Sequence, residues 1–161
     1  MFNSRRGQGS TEYLVLLAMV LVVAMVAIAL LGFFPGLAGD ARAGQSDAYW
    51  RGTARPFAIL EHSLATGSGS SVNLAIQNLD SNSKYLKTLN LTGTGINASN
   101  SSVNTYISAG QTVSSIAVAL TAGSCTTGTP YEFNVTFTYD SVGGITGNTQ
   151  RGTKPLVGVC G

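Results

Sequence analysis

The residues able to do chemistry are few, and the first two come as a pair, Cys125 and Cys160. Neither stands at CxxC or His-flanked spacing, so a metal or redox centre is not indicated, and one structural disulfide is the simplest use of both. Four Asn-x-Ser/Thr triplets begin at Asn90, Asn97, Asn100 and Asn134 and offer amides for N-glycosylation. Such triplets also arise by chance in a chain rich in Ser, Thr and Asn. Together with the paired cysteines they favour an extracytoplasmic body. The only histidine, His62, follows Glu61 in a strand-like run. Neighbours in a strand point to opposite faces, so the two make no local acid–base pair, and His62 is expected at a surface or edge. There is no G-x-S-x-G, phosphate loop, dinucleotide fingerprint or carboxylate cluster. No catalytic residue, cofactor or metal is expected, and the chain is not read as an enzyme. Gly67-Ser68-Gly69-Ser70 reads as a flexible loop. Tyr49 and Trp50 are expected to cap a β domain where a helix joins it, in preference to binding a ligand.

The elements that must carry these residues differ sharply in hydropathy. Only 10% of the chain is charged, and no charge falls between Tyr13 and Phe34. As a helix that stretch spans about 33 Å, enough for a bilayer core. It is apolar all round. Gly9, Ser10 and Thr11 can supply an N-cap, which places Glu12 in the first turn, where the helix dipole favours an acid. Pro35, among Gly32, Gly36 and Gly39, predicts a break or kink. Residues 37–54 read as a weaker helical or linking segment.

After Arg55 the pattern becomes short runs of period two, rich in Val, Ile, Thr, Tyr and Phe and divided by Gly, Ser, Asn and Asp. The runs predict strands over 57–64, 72–78, 85–91, 103–107, 112–120, 131–139 and 156–160. The clearest puts Tyr131, Phe133, Val135, Phe137 and Tyr139 on one core-facing side. The fold class is therefore α+β: a long N-terminal hydrophobic helix followed by an all-β, immunoglobulin-like sandwich. A glycine-bearing turn near 140–144 predicts an antiparallel hairpin that brings Cys160 back towards Cys125. Closing that loop would add about 3 to 4 kcal/mol.

The extreme N-terminus reads Arg5-Arg6-Gly7-Gln8-Gly9-Ser10-Thr11-Glu12-Tyr13-Leu14-Val15-Leu16 and runs straight into the hydrophobic stretch. Gln8, Ser10, Glu12 and Leu16 match QxSxExxxL, and here the chain resembles archaeal type IV pilin-like proteins with a class III signal peptide. The resemblance implies that a membrane-embedded prepilin peptidase cuts between Gly7 and Gln8, leaving the helix on the mature subunit. It also implies an assembly platform in the membrane, a homo-oligomeric filament of identical or related subunits, and surface adhesion. Assembly is then expected to use Gln8, Ser10, Glu12 and Leu16. The chain divides accordingly into a leader, 1–7, a polymerisation helix and linker, 8–54, and a β domain, 55–161.

Physical chemistry runs the same way. Arg5 and Arg6 hold the leader in the cytoplasm by the positive-inside rule, which leaves the β domain outside. Removing them leaves seven basic against seven acidic residues, from nine and seven, so the mature chain is neutral overall. Nothing resembles a nucleic-acid-binding face. The new amine at Gln8 can neutralise Glu12 within or between subunits. No small-xxx-small pair falls between Leu14 and Phe33, so a tight GxxxG-type dimer is not indicated. Two alternatives remain: a single-pass anchor for a β-sandwich that binds a surface partner without polymerising, and a secretory signal peptide cut after Ala41-Arg42-Ala43. The second is disfavoured because such signals carry apolar regions of only about 7–15 residues.

Overall fold

Leu, Met, Ala and Val follow Tyr13 with no polar interruption, and the chain coils there into α1, Gln8–Ala48. The computed structural model describes residues 8–67 and 69–161, apart from the side chains of 8–10 and 32–38. The expected break at Pro35 does not occur, for α1 runs through it. Proline removes one N–H and crowds the carbonyl four residues back, at about 3 kcal/mol in an ordinary helix. Long helical arms on both sides keep their own bonds, and an apolar segment gives the backbone no better partner than the helix. The capping expectation is also corrected. Gly9–Thr11 lie inside α1, and no acid falls in its first turn, so Glu12 sits one residue beyond it.

The chain forms two units, residues 1–41 and 42–161. In the second, the end of α1 passes into a single wider turn, Tyr49–Thr53, closed by Ala54 N–H donating to the Tyr49 carbonyl at 2.9 Å. Among the described residues nine strands follow: β1 Phe57–Leu64, β2 Ser71–Asn78, β3 Lys84–Gly93, β4 Asn97–Asn100, β5 Thr105–Ile107, β6 Thr112–Ala122, β7 Pro130–Ser141, β8 Asn148–Arg151 and β9 Leu156–Val159. Their ladders are all antiparallel, in the order β1-β2-β6-β4-β3-β7-β8, with β5 also on β3 and β9 also on β7.

The helix followed by an antiparallel β domain is as the sequence predicts. The sandwich is not two separate sheets, however. One hydrogen-bonded path folds over so that Phe57, Leu74 and Val118 from one part share a core with Leu89, Phe133 and Phe137 from the other. β6 makes this possible by pairing with β2 up to Ala119 and with β4 from Leu120. Where the path's ends approach, the Gln150 side chain spans them. Its Oε1 accepts from Phe57 N–H and its Nε2 donates to Phe57 C=O, each at 2.9 Å.

Two strands escape the sequence pattern. β4 and β8 are four residues each and almost wholly polar, so neither shows apolar alternation. The expected strand over 103–107 begins only at Thr105, because Asn104 takes φ 41°, outside extended geometry. Of the expected loop over 67–70, Ser68 lies outside the described residues; Gly67 N–H donates to the Cys125 carbonyl at 3.1 Å, and Ser70 Oγ donates to the Gly67 carbonyl at 3.0 Å.

Candidate functional site

The first candidate is the helix surface itself. Thr11–Leu31 is long and apolar enough to cross a membrane, and none of it is buried within the chain. At 1.5 Å per residue these 21 residues cover about 32 Å. Leu16 is 63% exposed, and Tyr13, Met19, Val23, Met25 and Ile28 are exposed to similar degrees on every side of the helix. A stripe would have signalled packing on one partner, whereas this surface needs an apolar environment all round. Glu12 and Leu16, spaced by four, lie on one helix face. Gly7, where the cut is expected, lies outside the described residues, as do the side chains of Gln8 and Ser10.

The second candidate is the joint between the end of α1 and the β core, within residues 42–161. Trp50 is 1% exposed and stands edge-on to Phe137, with ring centroids 6.2 Å apart. Its indole lies on Gly152, where any β-carbon would overlap the ring. Ser46 Oγ accepts Val157 N–H at 3.0 Å, and Tyr49 OH accepts Thr153 N–H at 3.1 Å. The end of the helix thus accepts two backbone donors of the last segment. Capping by Tyr49 and Trp50 is as the sequence predicts, while the roles of Ser46, Gly152 and Gln150 carried no sequence signal.

His62 does lie on β1, at one end of the strand path, but it is not a free surface group. It is half-buried and shares a 2.6 Å hydrogen bond with Tyr131 OH through Nδ1, above Gly158. Burial lowers the imidazole pKa below 6.5; Asp47 opposes that shift and Arg51 adds to it. Burial also pushes the Tyr131 phenol up to about 12. Glu61 is exposed, and the pair does not converge. Among the described residues no three His, Cys, Asp or Glu side chains are grouped to hold a metal ion.

Cys125 and Cys160 form a disulfide with Cα atoms 5.9 Å apart. Asn90 and Asn134 are exposed on β3 and β7, and Asn97 and Asn100 are half-buried on β4. The Asn100 amide is engaged at both ends, donating to the Ala117 carbonyl at 2.9 Å and accepting Ser102 N–H at 3.0 Å.

With this geometry in place, comparison with known families is informative. Residues 5–31 match the family described as Class III signal peptide. The match spans the leader motif and the exposed apolar helix together, as in a type IV pilin-like precursor. It implies membrane association of the precursor and processing by a prepilin peptidase. No curated protein matches the chain.

Proposed function

We propose that the chain is a structural subunit of an extracellular, archaeal-type type IV pilus-like filament, cut after Gly7, assembled through α1 and used for surface adhesion. One observation carries this: an apolar helix of 21 residues, exposed on every side, directly follows a class III leader pattern. In the precursor that surface sits in lipid. After cleavage it leaves lipid only if other copies replace the bilayer, and identical helices supply the same apolar surroundings. Hydrolysis of the Gly7–Gln8 peptide removes Arg5 and Arg6, and with them the charges that hold the N-terminus in the cytoplasm. The same step frees an amine at Gln8, one helical turn from Glu12. An acid carried into an apolar bundle is tolerable only when paired, so this amine favours docking in one register. The assembly platform and peptidase are the partners this requires, and no nucleic acid or catalytic activity enters.

A single-pass anchor that does not polymerise makes a different prediction at the N-terminus. Intact mass and N-terminal sequencing of the protein from cell-surface fractions separate the cases. A start at Gln8, with about 154 residues, is expected of the pilin. A start at Met1 belongs to the anchor and one at Gly44 to a secretory signal peptide, and either overturns the proposal.

A further inference from the structure

Three of the four sequons lie side by side in a single patch of sheet. β3 pairs with β4 on one edge and β7 on the other, and the registers place Asn97, Thr92 and Asn134 in one row. Ser99, Asn90 and Thr136 form a second row. Between the rows Ala98, Leu91 and Val135 are buried, at 2%, 0% and 1% exposure. Side chains alternate along a strand, so each triplet has its middle residue in the core and its Asn and hydroxyl residue on the outer face. That is the arrangement in which a strand can be both core and acceptor.

The four asparagines are not equivalent. Asn100 uses both ends of its amide to hold β4 to Ala117 and to close the turn at Ser102. Asn97 is half-buried, and its Oδ1 accepts Gly93 N–H at 3.2 Å. Asn90 and Asn134 are exposed, and among the described residues neither side-chain amide is tied by a hydrogen bond. Around them the outer face is hydroxylic: Thr88 pairs with Thr138, and Thr138 with Thr149, while Arg151 lies opposite Thr136 at the border. The mature chain is also neutral, seven bases against seven acids, so charge repulsion does little to keep its outer surfaces apart.

We infer that Asn90 and Asn134 are N-glycosylation sites that turn the β3–β7 face into a sugar-covered surface, and that Asn97 and Asn100 are left unmodified because they belong to the fold. The donor is a lipid-phosphate-linked oligosaccharide. The Asn Nδ2–C1 bond forms as the C1–O bond to phosphate breaks. The lipid phosphate leaves with the electron pair, and the amide proton passes to a base of the transferase. Thr92 and Thr136 supply the sequon hydroxyls, on the same face as their asparagines and about 7 Å along the strand. The hydrated saccharide supplies the solubility that a neutral surface lacks. The inference rests on export of the β domain and not on polymerisation.

The test is mass spectrometry of the full chain isolated from cells that make it, with fragmentation that localises sugar to individual residues. Protease treatment of intact cells reports export in parallel. Saccharide mass is expected on Asn90 and Asn134 and absent from Asn97 and Asn100. Thr92→Ala should remove the Asn90 increment and Thr92→Ser restore it, with Thr136 behaving likewise for Asn134. Asn100→Ala should lower the melting temperature with no loss of sugar. Bare Asn90 and Asn134 on a protease-accessible domain, or saccharide on Asn100, overturns the inference while leaving the filament reading intact. A domain that protease cannot reach on intact cells overturns both.

Discussion

Gln150 is joined to Phe57 through both atoms of its amide, as though one side chain were a one-residue strand. It accepts the Phe57 N–H and donates to the Phe57 carbonyl, each at 2.9 Å, across 93 residues of chain. Gln150 is 7% exposed and Phe57 is fully buried, so water cannot easily replace either bond.

Gln150→Ala should therefore strand a buried donor and a buried acceptor at once. At about 1 to 3 kcal/mol for each unsatisfied group, the expected loss is about 2 to 6 kcal/mol. Urea unfolding of the detergent-solubilised full chain, followed by Trp50 fluorescence, measures it. A change under about 0.5 kcal/mol would mean that the bridge forms without stabilising the closure.

Reduction of the Cys125–Cys160 disulfide should cost about 3 to 4 kcal/mol, the chain-entropy value for a separation of 35 residues. Cys125→Ser with Cys160→Ser should lower the melting temperature as reduction does and leave N-terminal processing unaffected. Failure of a reductant to shift the melting curve of the native protein would count against a stabilising role.

His62 makes stability fall on the acid side of neutrality. Its folded pKa lies below the 6.5 of the unfolded chain because burial disfavours the imidazolium. Between the two values the unfolded state binds more protons, so stability declines as pH drops from about 6.5 and levels off below the folded pKa. Asp80 and Asp140, both held below 3.8, act in a separate and more acidic window. The urea midpoint should thus decrease between pH 7 and pH 5 in the native chain and stay nearly flat in His62→Gln. An equal slope in both would remove His62 as the cause.

Glu12→Gln keeps the shape of the side chain and removes its charge. The variant should insert, be cut after Gly7 and carry a folded β domain, yet yield few or no filaments by electron microscopy. Filaments in normal number and length would show that charge pairing with the Gln8 amine does not guide docking.

What could be read from the sequence was what is local. The alternation of Tyr131, Phe133, Val135, Phe137 and Tyr139 marks β7, and the uncharged run after Glu12 marks the exposed span, because each is a repeating pattern in adjacent residues. β4 escaped because Asn97-Ala98-Ser99-Asn100 holds one buried apolar residue and so shows no period. At Pro35 no break follows, because its local preference is outweighed by the helix on either side. The leader motif is linear and was legible in full. The joint was legible only at Trp50 and Tyr49, since Ser46 and Val157 meet through tertiary folding alone, 111 residues apart.

The position of that joint relative to the disulfide has a mechanical consequence. Ser46, Tyr49 and Trp50 grip Val157, Thr153 and Gly152, and all three lie inside the loop that Cys125 and Cys160 close. A pull delivered through the end of the helix arrives on a covalent ring rather than on a loose tail. The C-terminus cannot be peeled away one hydrogen bond at a time, because Cys160 is fastened beyond the last gripped residue. Freeing the gripped segment means breaking the ladders of β7 with β8 and of β7 with β9 as well as the joint itself. While the disulfide is intact, that segment is held at both of its ends.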